Sequence, residues 1–136
     1  MWPLIFYIIF AQLFKYGDIM VEVCKVYEEH KEAIMKVKEK LPSDEMILEV
    51  SDFFDALGNP TRLKILFALL EEELCTCDLS NITGLSISAI SHQLRILKDR
   101  KLIKYRKDGK NVFYSLDGEH VKKILEIALA HREEYK

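Results

Sequence analysis

The chain has 136 residues, 49% hydrophobic and 31% charged, with a formal net charge of −2. That length suits one modest core with an arm, and the composition is that of a globular protein rather than a low-complexity chain. The three cysteines, an odd number, argue against the disulfide framework of a small secreted protein. We therefore expect a cytoplasmic protein with reduced thiols, in which closely spaced cysteines serve metal or redox chemistry.

The first 19 residues differ from the rest of the chain. Residues 2–14 are an apolar run broken only by Gln12, and Lys15 follows. The run is shorter than the ~20 apolar residues of a membrane-spanning helix, and it lacks the basic start and cleavage site of a signal peptide. We interpret residues 1–19 as an apolar extension that is not part of the native protein, which would begin at Met20. If the extension is native, a membrane or dimer anchor is the alternative.

Residues 20–42 form a highly charged arm. Its apolar residues recur at roughly helical spacing, which predicts an amphipathic helix or arm over residues 21–41, ended by Pro42. The following domain, residues 43–136, begins with two predicted helices, from Ser43 to about Leu57 and over residues 61–70. The turn between them contains Pro60, which suits the first turn of a helix.

From Cys75 onward the predicted elements become short. Residues 77–83 predict a short helix, Gly84 a turn, and Ser86 the N-cap of a second helix over residues 88–101. A helix, a glycine-containing turn and a second helix make a helix-turn-helix.

Two alternating strands follow, over residues 102–106 and 111–115, and Asp108-Gly109 supplies a tight turn between them. A helix-turn-helix followed by such a hairpin is a winged helix-turn-helix. With a last helix over residues 118–134, the predicted fold is mainly α with a small β-hairpin.

The charge distribution within this motif favours a nucleic-acid partner. Residues 86–115 contain eight basic and two acidic residues, a net charge of +6. A local basic surface, rather than the sum over the chain, sets phosphate affinity. On the second helix we expect Ile87, Ile90, Leu94 and Leu97 to be buried, while the other face can meet phosphates and base edges. The predicted DNA-binding residues are Ser86, Ser88, Ala89, Ser91, His92, Gln93 and Arg95 on the helix, with Lys107 and Lys110 on the wing. A winged helix used for protein contacts is the alternative.

Four segments together resemble the ArsR/SmtB family of metal-sensing transcriptional repressors. They are residues 56–66 (ALGNPTRLKIL), 73–79 (ELCTCDL), 88–94 (SAISHQL) and 107–114 (KDGKNVFY). The resemblance covers about two thirds of the chain in the family's order. It implies a homodimer that represses an operon and releases double-stranded DNA when a metal ion binds.

The first candidate metal site contains Cys75, Cys77 and Asp78. Cys75 and Asp78 share a helix face, whereas both thiols reach one ion only if Cys75 lies before or in the first turn. A third soft ligand must come from elsewhere, and Cys24 is the remaining cysteine. The resemblance implies that the arm supplies such a cysteine, usually to the other protomer.

The composition of that ligand shell stays open. Glu28 occupies the place of a second arm cysteine in cadmium- and lead-sensing relatives of the family. Glu28, His30 or Asp78 could complete a mixed shell suited to zinc or cadmium, with lead as a further candidate, whereas three thiolates alone would suit As(III). In the alternative interpretation, Cys75 is a buried small hydrophobic residue.

The second candidate site lies on the last helix. His120 and His131 point the same way but lie ~16 Å apart, so two antiparallel helices of a dimer would be needed to pair them. The resemblance implies an interfacial zinc site at this place, which His120, His131 and Glu134 match. Gly118 stands where the family has an aspartate. The site is therefore either vestigial or closed by Asp117, Glu119 or water.

We expect a DNA-binding repressor, with a metal ion as its regulatory ligand, that acts on no small-molecule substrate. The sequence lacks a phosphate-binding glycine loop, a zinc-protease motif and a nucleophile beside a base, which argues against an enzyme. The alternative is a winged-helix regulator that senses thiol oxidation or has no metal inducer.

Overall fold

The computed structural model describes residues 22–136, so the predicted extension over residues 1–19 lies outside the described part. The chain divides into two compact units, one ending at Leu41 and the other spanning Pro42–Lys136. Within the described residues, no helix has the length and apolar character needed to cross a membrane.

The first unit contains one described helix, α1 (Lys31–Lys40). The predicted helix over residues 21–41 is therefore too long, since residues 22–30 are not helical. The β-branched residues Val23 and Val26 lower the helix propensity of this stretch. At the other end, Leu41 is extended, as expected of a residue that precedes proline.

The second unit begins with α2 (Asp44–Leu57) and α3 (Pro60–Glu71). Each is capped by a side-chain oxygen: Ser43 Oγ accepts from the Met46 N–H at 3.2 Å, and Asn59 Oδ1 accepts from the Arg62 N–H at 3.1 Å. These caps satisfy backbone donors that have no partner inside the helix. Both predicted helices are confirmed to within a few residues.

The helix-turn-helix is α4 (Thr76–Thr83) followed by α5 (Ile87–Asp99). Gly84 ends α4 with φ of 74°, a conformation that glycine adopts without strain. Ser86 Oγ accepts from the Ala89 N–H at 3.1 Å and so begins α5. The predicted motif and its cap are confirmed.

The sheet has three strands rather than the predicted two. Strand β1 (Leu74–Cys75) pairs with β3 (Asn111–Leu116), which also pairs with β2 (Ile103–Asp108), all antiparallel. The two-residue turn is Gly109-Lys110, one position later than predicted, with Gly109 at φ of 60°. We call β2, β3 and this turn the wing. Strand β1 was missed because two residues are too few to show an alternating pattern.

The last helix, α6 (Glu119–Glu134), follows the wing as predicted. The core lies among α2–α6 and the sheet. Its buried residues are Ala56, Leu57, Ile65, Leu66, Leu69, Leu79, Ile90, Leu94, Leu97, Leu102, Ile103, Val121 and Leu125. Ile87, predicted to be buried, is 52% exposed. It is the first residue of α5, whose core contacts begin one turn later at Ile90.

Two helices of this unit retain apolar residues on the surface. On α2 the exposed ones are Met46, Ile47, Leu48, Val50 and Phe54. On α6 only Val121 and Leu125 are buried, while Ile127 and Leu129 in its second half are exposed. The predicted apolar stripe of the last helix is thus buried near the wing and uncovered beyond it.

Candidate nucleic-acid interface and metal centre

The exposed face of α5 presents small and hydrogen-bonding side chains. Ser86, Ser88, Ser91, His92 and Arg95 are exposed, as predicted, and Ala89 is half-buried. Because the buried stripe of α5 fixes the helix to the core, this face is held outward on a rigid element.

Gln93 differs from the prediction. It is half-buried, and its Oε1 is covered without a hydrogen-bond partner among the described residues. Its position explains this, because it follows Ile90 by three residues and precedes Leu97 by four, so it borders the buried stripe. Conversely, Ile87 lies at the exposed front of the helix, where an apolar side chain can contact a thymine methyl group. Helical spacing alone predicts that Ile87 is buried, so it gives no signal of this exposed position.

The wing places Lys107 near its turn and Lys110 within it, both exposed. A further basic side chain of the wing, Arg106, contacts an acidic residue of the same chain. Its Nε donates to Glu73 Oε1 at 2.8 Å, and its Nη2 lies 2.6 Å from the same oxygen. This hydrogen bond with Glu73 raises the pKa of the Arg106 guanidinium.

Cys75 lies at the junction of the sheet and the helix-turn-helix. It is the last residue of β1 and the N-cap of α4, with extended backbone at φ −89° and ψ 172°. Cys77 is two residues further on, in the first turn, and is exposed. Cys75 therefore precedes the first turn, which is the condition for both thiols to approach one ion.

The Asp78 carboxylate accepts a local hydrogen bond. Its Oδ2 accepts from the Cys75 N–H at 3.0 Å, and this bond, followed by the interaction with the Cys75 thiol, lowers the pKa of Asp78. The carboxylate thus caps the start of α4. Two thiols and a carboxylate within four residues suit a thiophilic divalent ion, with further ligands needed from outside the segment.

The arm candidates Cys24, Glu28 and His30 are exposed and belong to the first unit. Within residues 22–136 of one chain, no three histidine, cysteine or acidic side chains come together as a metal site.

On α6, His120, His131 and Glu134 are all exposed. The His131 ring lies 4.8 Å from that of Tyr135. Gly118, at the place of the expected aspartate, has φ of 91° and ψ of 165°. This backbone region is essentially restricted to glycine, so an aspartate here would be strained.

Comparison with known proteins places these features in context. The model of the arsR family of bacterial regulatory proteins matches residues 59–105. The cadmium resistance transcriptional regulatory protein CadC homolog of Staphylococcus aureus is 43% identical over 114 residues, which cover 83% of this chain and 93% of that protein. The transcriptional repressor SmtB homolog of Synechocystis is 41% identical over 105 residues, covering 77% and 80%.

The fold has a solved counterpart. The solution structure of the homodimeric winged helix-turn-helix DNA-binding domain of Mb0332 from Mycobacterium bovis matches with a TM-score of 0.62 and 23% identity, covering 82% of this chain and 93% of that one. The predicted mainly α winged helix-turn-helix is confirmed.

Proposed function

Because this chain belongs to the ArsR family of bacterial regulatory proteins, we propose that it is a homodimeric transcriptional repressor that releases DNA on binding a thiophilic metal ion. The observation that carries the proposal is the position of Cys75 and Cys77, at the first turn of the helix-turn-helix. An ion bound there acts directly on the element that reads DNA. The protein performs no catalysis in this role.

DNA binding is assigned to the exposed face of α5 and to the wing. Serines 86, 88 and 91, with His92 and Arg95, are placed to meet phosphates and base edges, while Lys107 and Lys110 reach neighbouring phosphates or a minor groove. Ile87 adds an apolar contact that favours thymine. Gln93 is left out of this set because its amide oxygen is covered.

The metal site is assigned to Cys75 and Cys77, with Cys24 as the third thiol and Asp78, Glu28 or His30 as candidates for the fourth ligand. When bound, a thiophilic divalent ion would supply strong bonds to these residues' deprotonated thiols. Cadmium, zinc and lead suit a mixed shell, whereas As(III) suits the three thiols alone. This chemistry needs reduced cysteines, so we place the protein in the cytoplasm.

The last helix is assigned to dimerisation rather than to the sensing ion. The exposed apolar residues of α2 and the second half of α6 are the surfaces that a second copy would cover. The ligand missing at Gly118, and the backbone there that would strain an aspartate, argue against a complete metal site on this helix.

The proposal is tested by fluorescence anisotropy with the DNA upstream of the protein's own gene. Salt is held constant, because phosphate contacts make affinity depend steeply on it. Zn(II), Cd(II), Pb(II) and As(III) are titrated into the complex. We expect one or more of these ions to raise the dissociation constant for DNA about 5- to 150-fold, the usual range of such coupling. Unchanged affinity with every ion would refute metal sensing, and no binding to this DNA would contradict a role for the protein at its own upstream region.

A further inference from the structure

The cysteine segment, defined as residues 73–78, is joined to the wing by backbone pairing. In the three-stranded sheet, Cys75 of β1 pairs with Phe113 of β3, and Phe113 pairs with Arg106 of β2. These three residues lie side by side across the sheet. A candidate metal ligand is therefore two strands away from Arg106, the residue immediately before Lys107.

Side chains make a second contact between the cysteine segment and the wing. Glu73, at the start of the cysteine segment, accepts the hydrogen bond from Arg106 Nε and forms an ion pair with its Nη2, although the two residues are 33 positions apart in sequence. The Arg106 guanidinium also lies over the Phe113 ring, 4.8 Å from its centroid. Backbone pairing and this ion pair therefore connect the cysteine segment to the wing at two places.

We propose that Glu73 and Arg106 are positioning residues that transmit metal occupancy from Cys75 and Cys77 to the wing. This inference rests on the proposed function, because it specifies how that metal site controls DNA. An ion held by both Cys75 and Cys77 would bring their sulfur atoms to one point and so would act on the backbone of the cysteine segment.

Turning the thiolates rotates the cysteine segment, and Glu73 at its start moves with it. Through Glu73 the displacement reaches Arg106 and then the phosphate-binding end of the wing at Lys107 and Lys110. The DNA-facing helix α5 is reached through α4, whose first residues, from Thr76, belong to the same segment.

The size of the effect follows from exposure. The side chains of Arg106 and Glu73 are 53% and 33% exposed, so their ion pair is only partly shielded from water. Pairs of this kind contribute modestly. We expect that removing the pair lowers metal-induced DNA release by a factor of about two to five, without abolishing it.

The test compares Glu73→Ala with Glu72→Ala. Glu72 is the adjacent residue, is exposed and has no ion-pair partner among the described residues, so the second variant makes the same charge change without touching the connection. Three quantities are measured for each protein: Cd(II) affinity by chelator competition, the thiolate-to-cadmium absorption band, and the DNA dissociation constant with and without Cd(II). The ratio of the two dissociation constants reports coupling.

We expect Glu73→Ala to keep the absorption band and a Cd(II) affinity within about twofold, while its coupling ratio falls two- to fivefold. Glu72→Ala should match the wild type in all three. Exchanging the two charges, with Glu73→Arg and Arg106→Glu in one protein, should restore part of the ratio, because Asp108, 3.8 Å from Arg106 Nη1, would then face a like charge. The ratio cancels the change in direct phosphate attraction that Arg106→Glu brings.

Hydrogen exchange of the wing amides gives a readout that does not depend on DNA. In the wild type, Cd(II) should change exchange over residues 105–114, and in Glu73→Ala this response should be reduced. If Glu73→Ala has the same coupling ratio as the wild type and the same exchange response to Cd(II), the inference is overturned while metal sensing remains intact. Absence of the thiolate absorption band in the wild type would overturn the proposed function, and this inference with it.

Discussion

The cysteine segment and the last helix both carry residues typical of metal ligands, but their surroundings differ. Cys75 and Cys77 lie where the sheet, α4 and the wing meet, and the backbone at Cys75 is extended just before the first turn of α4. His120 and His131 lie three turns apart on the exposed side of α6, and Gly118 just before that helix has a backbone in which an aspartate would be strained. We therefore expect the cysteine segment, which is connected to the DNA-binding elements, to regulate, and the last helix not to.

The largest expected effect concerns metal affinity. Cys77→Ser should weaken Cd(II) binding at least about a hundredfold, because even residues that only support ligands change affinity 10- to 100-fold. Chelator competition measures this. His120→Ala is the matched control, and Cd(II) affinity should not change in it. Equal losses in the two variants would remove the distinction between the sites.

The second prediction concerns dimerisation through the last helix. Ile127→Glu puts a charge into the exposed apolar part of α6 and should raise the dimer dissociation constant about tenfold or more, as expected for a residue central to an interface. Sedimentation equilibrium measures it. Lys122→Glu, on the same helix but outside the apolar patch, should leave association unchanged. A dimer unaffected by Ile127→Glu would place the interface elsewhere.

The third effect concerns the missing ligand. Gly118→Asp should destabilise the fold by about 1–3 kcal/mol, because φ of 91° is unfavourable for any residue with a Cβ atom. Gly118→Ala should lose a similar amount, which separates backbone strain from the new carboxylate. Urea denaturation measures both. Neither variant should gain a zinc response that depends on His131, and such a gain would show that the last helix needs only its aspartate.

The smallest effect concerns the cap at the cysteine segment. Asp78→Asn removes the charge that accepts from the Cys75 N–H and should lower the urea midpoint at pH 7. Because the pKa of Asp78 is lowered by folding, its contribution is full above the unfolded pKa, about 4, and is lost as the pH falls through the lower folded value. The difference between variant and wild type should therefore vanish in acid. Asp99→Asn, at the end of α5, is the control, and a pH-independent difference would argue against the cap.

The sequence was sufficient to predict the helices and the wing, since caps, glycine turns and apolar spacing are local signals. Ser86, Gly84 and Pro60 each fix a boundary through their own chemistry. What could not be predicted depends on contacts distant in the sequence. Strand β1 exists because Leu74 and Cys75 pair with the wing, and Glu73 meets Arg106 across 33 residues. The opposite exposures of Ile87 and Gln93 reflect where the core begins and ends on α5, which periodicity does not specify.

One titration shows directly whether the cysteine segment or the last helix controls DNA binding. Cd(II) is added to the preformed protein–DNA complex of the wild type, Cys75→Ser and His131→Ala at the same salt concentration, and release is followed by anisotropy. We expect release in the wild type and His131→Ala, and none in Cys75→Ser at the same metal concentration. Release that persists in Cys75→Ser and disappears in His131→Ala would show that the last helix, not the cysteine segment, controls DNA binding.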